Sequence, residues 1–282
     1  MGVGSIANKL ELDKVSINML KRVIKKALRA AGKELTNTEE VNFYRNLDNS
    51  SILYSELPET KRDLIAAYLP HSRAQLAQDL FALAFTESTS PRFFVEFGAT
   101  DGINLSNTWL LEKKLGWNGI LAEPAKTWHE ALRGNRSCII DTRCVARTSG
   151  SKLQFLEVNN TIEGGSELSG IKKFANNGDW ASKIRLSTSK EYEVETISLT
   201  DLLDGHNAPT DIQFLSLDTE GSELEILEGY NFEKRTIKSI CVEHNYVERN
   251  RKAINALLLK KGYVQVLEKV SKWDDWYVLK HN

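Results

Sequence analysis

Short β-rich runs alternate with helical stretches from Pro91 onward, and this alternation constrains the fold more than any other feature of the sequence. The runs are mostly apolar, which is typical of strands buried on both faces of a sheet. Parallel neighbours need a crossover connection, usually a helix, so the alternation predicts an α/β fold with a mostly parallel sheet. Seven core strands are predicted at 93–97, 119–123, 137–141, 212–217, 237–243, 263–267 and 275–279, with a further strand at 153–158.

The last two predicted strands have no helical pattern between them. We therefore expect them to pair as a hairpin, which makes one strand of the seven-stranded sheet antiparallel. The pattern as a whole predicts a doubly wound α/β domain that ends in this antiparallel hairpin. Helices are predicted between the strands at 104–115, 125–133, 222–229 and 249–261, and before them at 13–31, 38–46, 59–68 and 72–86.

The N-terminal part of the chain differs in charge from the rest. Residues 1–33 contain eight Lys or Arg against two acidic residues, and apolar residues recur at helical spacing over 13–31. Such a basic amphipathic helix suits an anionic membrane surface, or it packs on its own domain or on a partner protein. We predict an N-terminal helical extension over 1–71 and the main domain over 72–282.

Net charge, cysteine count and the length of apolar runs limit the classes of function that the chain can have. The formal net charge of −1 argues against a nucleic-acid-binding protein that works through overall basicity. Three cysteines are too few for a disulfide framework and fit a reducing compartment. Early apolar residues are interrupted by charges, and no run of about 18 apolar residues occurs, so neither a signal peptide nor a membrane span is expected. We expect a soluble, cytoplasmic enzyme.

The segment 159–193 is the least regular part of the main domain. It is rich in Gly, Asn and Ser, and a connection this long inside a compact domain is often functional, so we predict a lid or substrate loop. Trp180 has two interpretations. Its face can stack on a sugar while Lys183 and Arg185 bind an anionic polymer, or it anchors the loop to the core, which is the interpretation we favour.

A glycine-rich turn follows the first core strand. The run FFVEF leads into Gly98-Ala99-Thr100-Asp101-Gly102, and Glu123 ends the next strand 21 residues after Gly102. Glycines allow close approach to a ligand, and an acidic residue at the second strand end is placed to bind ribose hydroxyls. The turn lacks the third glycine of a dinucleotide site. Asp101 would repel a pyrophosphate but suits the ammonium group of S-adenosylmethionine (SAM).

Five segments closely resemble the FkbM-type family of SAM-dependent methyltransferases. They are Ser72–Leu83, Val95–Gly102, Leu105–Pro124, Leu215–Gly229 and Val242–Asn245, of which DTEGSELEILEG is the most specific. The resemblance covers roughly 72–279. It implies a Rossmann-like class I methyltransferase fold, SAM as methyl donor and, in most members, methylation of a hydroxyl oxygen, often on sugars or natural products. The N-terminal residues and the 159–193 insertion show no such resemblance.

The resemblance also assigns cofactor-binding residues. The loop after the first strand should bind the methionine and ribose half of SAM, the second strand end should bind the ribose, and residues after the third strand should flank the adenine. Three polar residues are candidates for binding the cofactor carboxylate, although local helix capping explains two of them, Gln78 and Asn107, equally well. Gly98, Ala99, Asp101 and Gly102 are assigned to the methionine and ribose half, Glu123 to the ribose, and Cys144 and Val145 to the adenine. The candidates for the cofactor carboxylate are Ser72, Gln78 and Asn107.

Four ionisable residues follow the fourth and fifth core strands and are the catalytic candidates: Asp218, Glu220, Glu243 and His244. In one hypothesis Mg²⁺ or Mn²⁺ is held by Asp218, Glu243 and His244 and binds the acceptor oxygen. In another a single group is the general base, with His244 favoured because its ordinary pKa is nearest neutrality. In a third these residues position SAM, cap the 222–229 helix or end a strand.

The function we expect from these features is SAM-dependent O-methylation of a carbohydrate hydroxyl, on a glycan or polysaccharide. Alternatives are methylation of a small-molecule natural product and a methyltransferase-like binding domain without activity. The second is disfavoured because the polar cofactor residues are present. A nicotinamide-dependent oxidoreductase is disfavoured by the missing third glycine.

Overall fold

A computed structural model describes residues 48–86, 92–159 and 165–280. The predicted helices at 13–31 and 38–46, and with them the basic N-terminal segment, lie outside the described residues. Within the described ranges, no helix is long and apolar enough to cross a membrane. All three cysteines are free thiols.

Strands and helices alternate as the sequence pattern predicts. In the described ranges the strands are β1 (Phe93–Phe97), β2 (Asn118–Ala122), β3 (Ile139–Asp141), β4 (Cys144–Ala146), β5 (Lys152–Val158), β6 (Gly170–Ile171), β7 (Ser189–Ser198), β8 (Asp211–Leu217), β9 (Thr236–Glu243), β10 (Tyr263–Val266) and β11 (Asp274–Leu279). The helices are α1 (48–56), α2 (Glu59–Ala66), α3 (Gln78–Phe85), α4 (Trp109–Lys113), α5 (His129–Asn135), α6 (Ser182–Thr188), α7 (Leu199–Gly205), α8 (Glu223–Gly229), α9 (Glu248–Lys260) and α10 (Glu268–Ser271).

The main sheet has the strand order β10-β11-β9-β8-β1-β2-β3. The five strands from β9 to β3 are mutually parallel, and β11 is antiparallel to both of its neighbours. The prediction of an α/β fold with a mixed sheet and helices is therefore confirmed. One detail was wrong: the short helix α10 lies between β10 and β11, where no helix was expected.

Both faces of the main sheet are buried, as the apolar strand sequences require. Phe93, Val95 and Phe97 of β1 belong to one hydrophobic cluster, while Phe94 points to the other face, into a second cluster. This second cluster includes buried side chains of α1, α2 and α3, so the described part of the predicted N-terminal extension packs against the sheet.

A second sheet, with strand order β4-β7-β5-β6, lies beside the first. The sequence interpretation found β5 but not β7 or α7. Charged residues fill alternate positions of β7, whose N-terminal half is largely exposed, so its pattern resembles a polar connection. The 159–193 segment is more ordered than predicted, since it contains β6, α6 and the start of β7.

Two helices begin later than predicted, and left-handed residues explain both. The predicted helix 72–86 begins only at Gln78, because Ala77 has a φ of 68°. The predicted helix 104–115 begins only at Trp109, because Leu105 has a φ of 58°. Right-handed helix cannot continue through a left-handed residue. The first glycine turn is therefore followed by an irregular loop, and no helix N-terminus directly follows it.

Candidate active site

The carboxyl ends of β1, β2, β8 and β9 border one large cavity. Its volume is about 810 Å³, which is within the range of ligand pockets for small molecules. The cavity lies where the chain order reverses, because β1 has β2 on one side and β8 on the other. Ligands in open α/β sheets bind at such a switch point.

Gly98, directly after β1, is required by the packing of two loops. It has a φ of +75°, and a Cβ atom there would lie 2.3 Å from the main-chain oxygen of Asp218. The loops after β1 and β8 therefore touch through their backbones at the cavity. Gly102 has a different role, since a Cβ there would collide with the side chains of Leu132 and Arg136.

The other residues of this turn that were predicted to bind the cofactor lie outside the cavity and stabilise the turn. Asp101 Oδ1 accepts hydrogen bonds from the backbone N–H groups of Ile103 and Asn104, both at 2.8 Å. Ala99 is fully buried in the hydrophobic cluster on the α3 side of the sheet. The structure thus brings Gly98 to the cavity wall but not Ala99, Asp101 or Gly102.

Glu123 lies on the cavity wall at the end of β2, where the sequence placed it. Its Oε2 accepts from Thr100 N at 2.9 Å, and its Oε1 accepts from Ala125 N at 2.8 Å. Burial raises the pKa of Glu123 to about 7 despite these two hydrogen bonds. Each oxygen retains acceptor capacity, so the carboxylate can bind a pair of hydroxyl groups.

Glu96 is a cavity residue that the sequence interpretation missed. This buried β1 carboxylate accepts from Asn107 N at 2.6 Å and from the Ser106 and Thr108 hydroxyls. Burial raises the pKa of Glu96, although the nearby Arg136 guanidinium opposes the shift. Its spacing in FFVEF looks like an ordinary strand position, so only its charge within an apolar run could have indicated a role.

Asn107 is held with one amide atom free. Its Nδ2 donates to Ser216 Oγ at 2.8 Å, while its Oδ1 is buried and has no hydrogen-bond partner. Because Asn107 lines the cavity, this oxygen is available to a donor group of a ligand. A buried polar atom left unpaired costs about 1 to 3 kcal/mol, so a ligand group that donates a hydrogen bond to Asn107 Oδ1 would remove this cost.

The remaining predicted cofactor residues divide into two groups. Gln78, Cys144 and Val145 line the cavity, and Gln78 Nε2 donates to Asp274 Oδ2 at 2.8 Å. Ser72 does not line it, because its hydroxyl donates to Asp79 Oδ1 at 2.6 Å. The hydrogen bond to Asp79 therefore accounts for the position of Ser72.

Three of the four catalytic candidates converge on the cavity. One carboxylate oxygen each of Asp218, Glu220 and Glu243 lies within 4.8 Å of the others. Removal from solvent raises the pKa of Asp218 to about 7. The pKa of Glu243 is also raised well above its usual range, by burial and by the Asp218 charge. Asp218 and Glu243 are close enough for the charge of each to favour the protonated form of the other.

Glu220 is paired with a cation from the 159–193 segment. Arg185 is 1% exposed, and its Nη2 donates to Glu220 Oε2 at 2.7 Å and to Asp179 Oδ2 at 2.6 Å. Arg185 is therefore not a surface cation for an anionic polymer. Glu220 does not cap α8 either, because Glu223 accepts the N–H groups of the preceding loop.

His244 is not brought into the cavity. Successive strand residues point to opposite faces, and His244 follows Glu243, which lines the cavity. Its Nδ1 accepts from Tyr246 N at 3.0 Å, and its Nε2 lies 3.6 Å from Asp275 Oδ1. The hypotheses that used His244 as general base or metal ligand therefore lack their geometry, and the carboxylate cluster alone is no evidence of a metal.

Trp180 occupies the cavity wall with 67% of its surface exposed. The favoured interpretation, that it anchors the loop to the core, was wrong. Tyr246, which the sequence interpretation did not select, also lines the cavity and is 66% exposed. Nothing in the sequence pattern distinguishes either residue from an ordinary loop aromatic.

Comparison with curated proteins gives no match. Residues 96–265, which are more than half of the chain, match the family described as the methyltransferase FkbM domain. The matched range contains the turn at Gly98, the carboxylate of Glu123 and the cluster around Asp218. The chain therefore belongs to the FkbM methyltransferase family.

Proposed function

We propose that the chain is a SAM-dependent O-methyltransferase whose acceptor is a carbohydrate hydroxyl. The observation that carries the proposal is a pair of neighbouring carboxyl groups, Asp218 and Glu243, in the cavity beside the Gly98 turn. Family membership supports methyl transfer, and the final antiparallel strand of the sheet is the arrangement expected of class I methyltransferases. The acceptor class is supported by the carboxylates and exposed aromatic side chains of the cavity.

The residues present fit SAM on one side of the cavity. We call the loops after β1 and β2, with Gly98, Asn107 and Glu123, the cofactor half. Glu123 offers oxygens on both sides of its carboxylate for ribose hydroxyls, and the unpaired Asn107 Oδ1 is an acceptor for an ammonium group. Cys144 and Val145 provide an apolar wall for the adenine. When bound, SAM supplies an electrophilic methyl group.

The opposite side of the cavity prepares the acceptor. We call Asp218, Glu220 and Glu243, with the covering segment 165–188, the acceptor half. In our mechanism the ionised Asp218 accepts the proton of the acceptor hydroxyl, which frees the oxygen lone pair for displacement. Glu243 keeps its proton and donates to Asp218, which fixes the orientation of the base. A base with a pKa of about 7 is half ionised at neutral pH, as efficient general bases are.

The experiment is a labelled-methyl transfer assay against a panel of neutral pyranosides, oligosaccharides and hydroxylated aromatic compounds. We expect transfer to sugar hydroxyls, and a fall in kcat of about 10² to 10⁴-fold in Asp218→Asn with S-adenosylhomocysteine binding retained. Asp211→Asn is the control, because it lies on the same strand with its side chain 57% exposed. Transfer only to aromatic hydroxyls would contradict the acceptor class, and full activity of Asp218→Asn would contradict the mechanism.

The same assay tests the metal hypothesis. Glu220 is already paired with Arg185, and Asn245 Nδ2 donates to Glu243 Oε2 at 2.7 Å. Glu220 and Glu243 thus already have partners within the chain, and we expect activity to survive a chelator. Loss of activity on chelation, with recovery on adding Mg²⁺ or Mn²⁺, would restore the metal hypothesis.

A further inference from the structure

Two exposed aromatic side chains line the same cavity. In the described part of the chain, the exposed large apolar side chains are Leu64, Trp180, Leu186, Tyr246 and Leu259, and both aromatic members of this set line the cavity. A tryptophan or tyrosine that is exposed to water leaves a large apolar surface unburied, and the stabilisation from burying it is lost. Aromatic surface left open beside a cavity therefore indicates contact with a ligand.

Trp180 is fixed in place by the buried ion pairs beside it. Its neighbour Asp179 accepts from Arg185 Nη2 at 2.6 Å and from Ser182 Oγ at 3.0 Å. Arg185 Nε also donates to Leu168 O at 2.9 Å, and Leu168 is itself a cavity residue. Asp179 precedes Trp180 in the chain and Arg185 follows it, and their hydrogen bonds thus fix the backbone that carries Trp180.

Tyr246 is held by an unusual backbone conformation. Asn245 and Tyr246 both have positive φ values, of 46° and 58°. Consecutive non-glycine residues in this region are uncommon and persist only when surrounding contacts fix them. Here His244 Nδ1 accepts from Tyr246 N at 3.0 Å, and the two rings meet edge to face with centroids 5.8 Å apart. His244 is thus a positioning residue for Tyr246.

The charge of the cavity wall restricts what these aromatics can hold. No lysine, arginine or histidine of the described residues lines the cavity. The acidic residues that line it are Glu96, Glu123, Glu167, Asp218, Glu220, Glu243 and Asp274. A carboxylate or phosphate on the acceptor would find no described cation on this wall to pair with, whereas neutral hydroxyl groups can donate to the carboxyl oxygens.

We infer that Trp180 and Tyr246 hold the acceptor ring at the cavity, and that this ring is a sugar without acidic substituents. The inference rests on the proposed function and specifies its substrate. The apolar C–H face of a pyranose packs on an aromatic side chain while its hydroxyls reach the carboxylates. The aromatic pair then selects for ring shape, and a wall without a described cation disfavours uronic acids and sugar phosphates.

The test measures acceptor binding by saturation-transfer NMR in the presence of S-adenosylhomocysteine, together with KM and kcat. We expect Trp180→Ala and Tyr246→Ala each to weaken acceptor binding about tenfold with kcat nearly unchanged. Leu186→Ala is the matched control, since Leu186 is 56% exposed on α6 and does not line the cavity. S-adenosylhomocysteine binding should be unaltered in all three variants, which shows that they fold.

The second arm compares each neutral pyranoside that binds with its matching uronic acid and phosphate. We expect the acidic forms to bind at least about tenfold more weakly. Unchanged acceptor binding in both aromatic variants, or equal binding of the acidic forms, would overturn the inference while leaving methyl transfer to sugars intact. If no sugar accepts the labelled methyl group, the proposed function fails, and the inference fails with it.

Discussion

The cofactor half of the cavity is built largely from backbone groups, whereas the acceptor half is built from charged side chains. In the cofactor half, Gly98 lets two loops touch and main-chain N–H groups orient Glu123. In the acceptor half, three carboxyl groups lie close together, and Asn245 and the buried Arg185 donate hydrogen bonds to two of them. A backbone-built site suits a constant cofactor, and a site built from side chains can change with the substrate.

The largest effect is expected where the two halves touch. Gly98→Ala places a methyl group 2.3 Å from the Asp218 carbonyl oxygen at a φ of +75°. Strain and overlap together should lower the free energy of unfolding by about 4 kcal/mol or more, measured by chemical denaturation. Gly150→Ala is the matched control, because Gly150 has a φ of +77° but open space around it. Its cost should be about 1 kcal/mol, and equal costs would contradict the close contact.

The next largest effect tests the ion pair of the acceptor half. Arg185→Met leaves Asp179 and Glu220 buried without their cation, which should destabilise the fold by about 3 kcal/mol. Arg147→Met is the control, since Arg147 forms a 2.8 Å ion pair with Glu228 on the surface and is 55% exposed. That variant should lose less than about 1 kcal/mol. Similar losses in both variants would show that the buried pair contributes no more than a surface one.

The pH dependence of stability tests the carboxyl groups that burial perturbs. Burial raises the pKa of Glu123 to about 7 and that of Asp79 to about 6. Both values exceed the unfolded-state pKa of about 4, so their contribution to stability is complete below about pH 4 and is lost as pH rises through 6 and 7. We expect the ligand-free protein to be less stable at pH 8 than at pH 5, by an amount on the order of 4 kcal/mol from these two groups.

The control for this prediction is Glu123→Gln, which removes one titrating group with little change in shape. The difference in denaturation midpoint between pH 5 and pH 8 should shrink in this variant. A difference that stays the same, or stability that rises with pH, would show that Glu123 is not buried as described.

The smallest expected effect is that of His244→Ala, which distinguishes a positioning role of His244 from a catalytic one. If His244 only holds the Tyr246 backbone, His244→Ala should raise the acceptor KM about tenfold and leave kcat within about threefold. The double variant with Tyr246→Ala should then be no worse than Tyr246→Ala alone, because both act through one contact. A fall in kcat of about 100-fold or more would instead mark His244 as a general base.

The cofactor half could be anticipated from sequence because its signals are local. Thr100 of the turn after FFVEF and Glu123 are 23 residues apart along the chain, and the positions of Gly98 and Glu123 at the cavity follow from the ends of their strands. The acceptor half depends on contacts between distant residues: Arg185 and Glu220 are separated by 35 positions, and Asn245 and Glu220 by 25. No spacing rule predicts such pairs, so these partners appeared only in the structure.

Errors within predicted elements have equally physical causes. His244 was grouped with Glu243 because the two are adjacent, yet strand geometry sends neighbouring side chains to opposite faces. The helix after the glycine turn was predicted too early because the left-handed residue Leu105 cannot be recognised from its type. Strand β7 was missed although its charged and less polar residues alternate over 191–196, because it lies in a segment that is otherwise rich in Gly, Asn and Ser.

The most direct test of the account is calorimetric titration of S-adenosylhomocysteine into the wild-type protein and into Glu123→Ala. We expect a micromolar Kd for the wild type and binding weakened about tenfold or more in the variant, because two ribose hydrogen bonds are lost. An absence of binding to folded wild-type protein, or the same Kd in both proteins, would contradict a cofactor site at the carboxyl ends of β1 and β2.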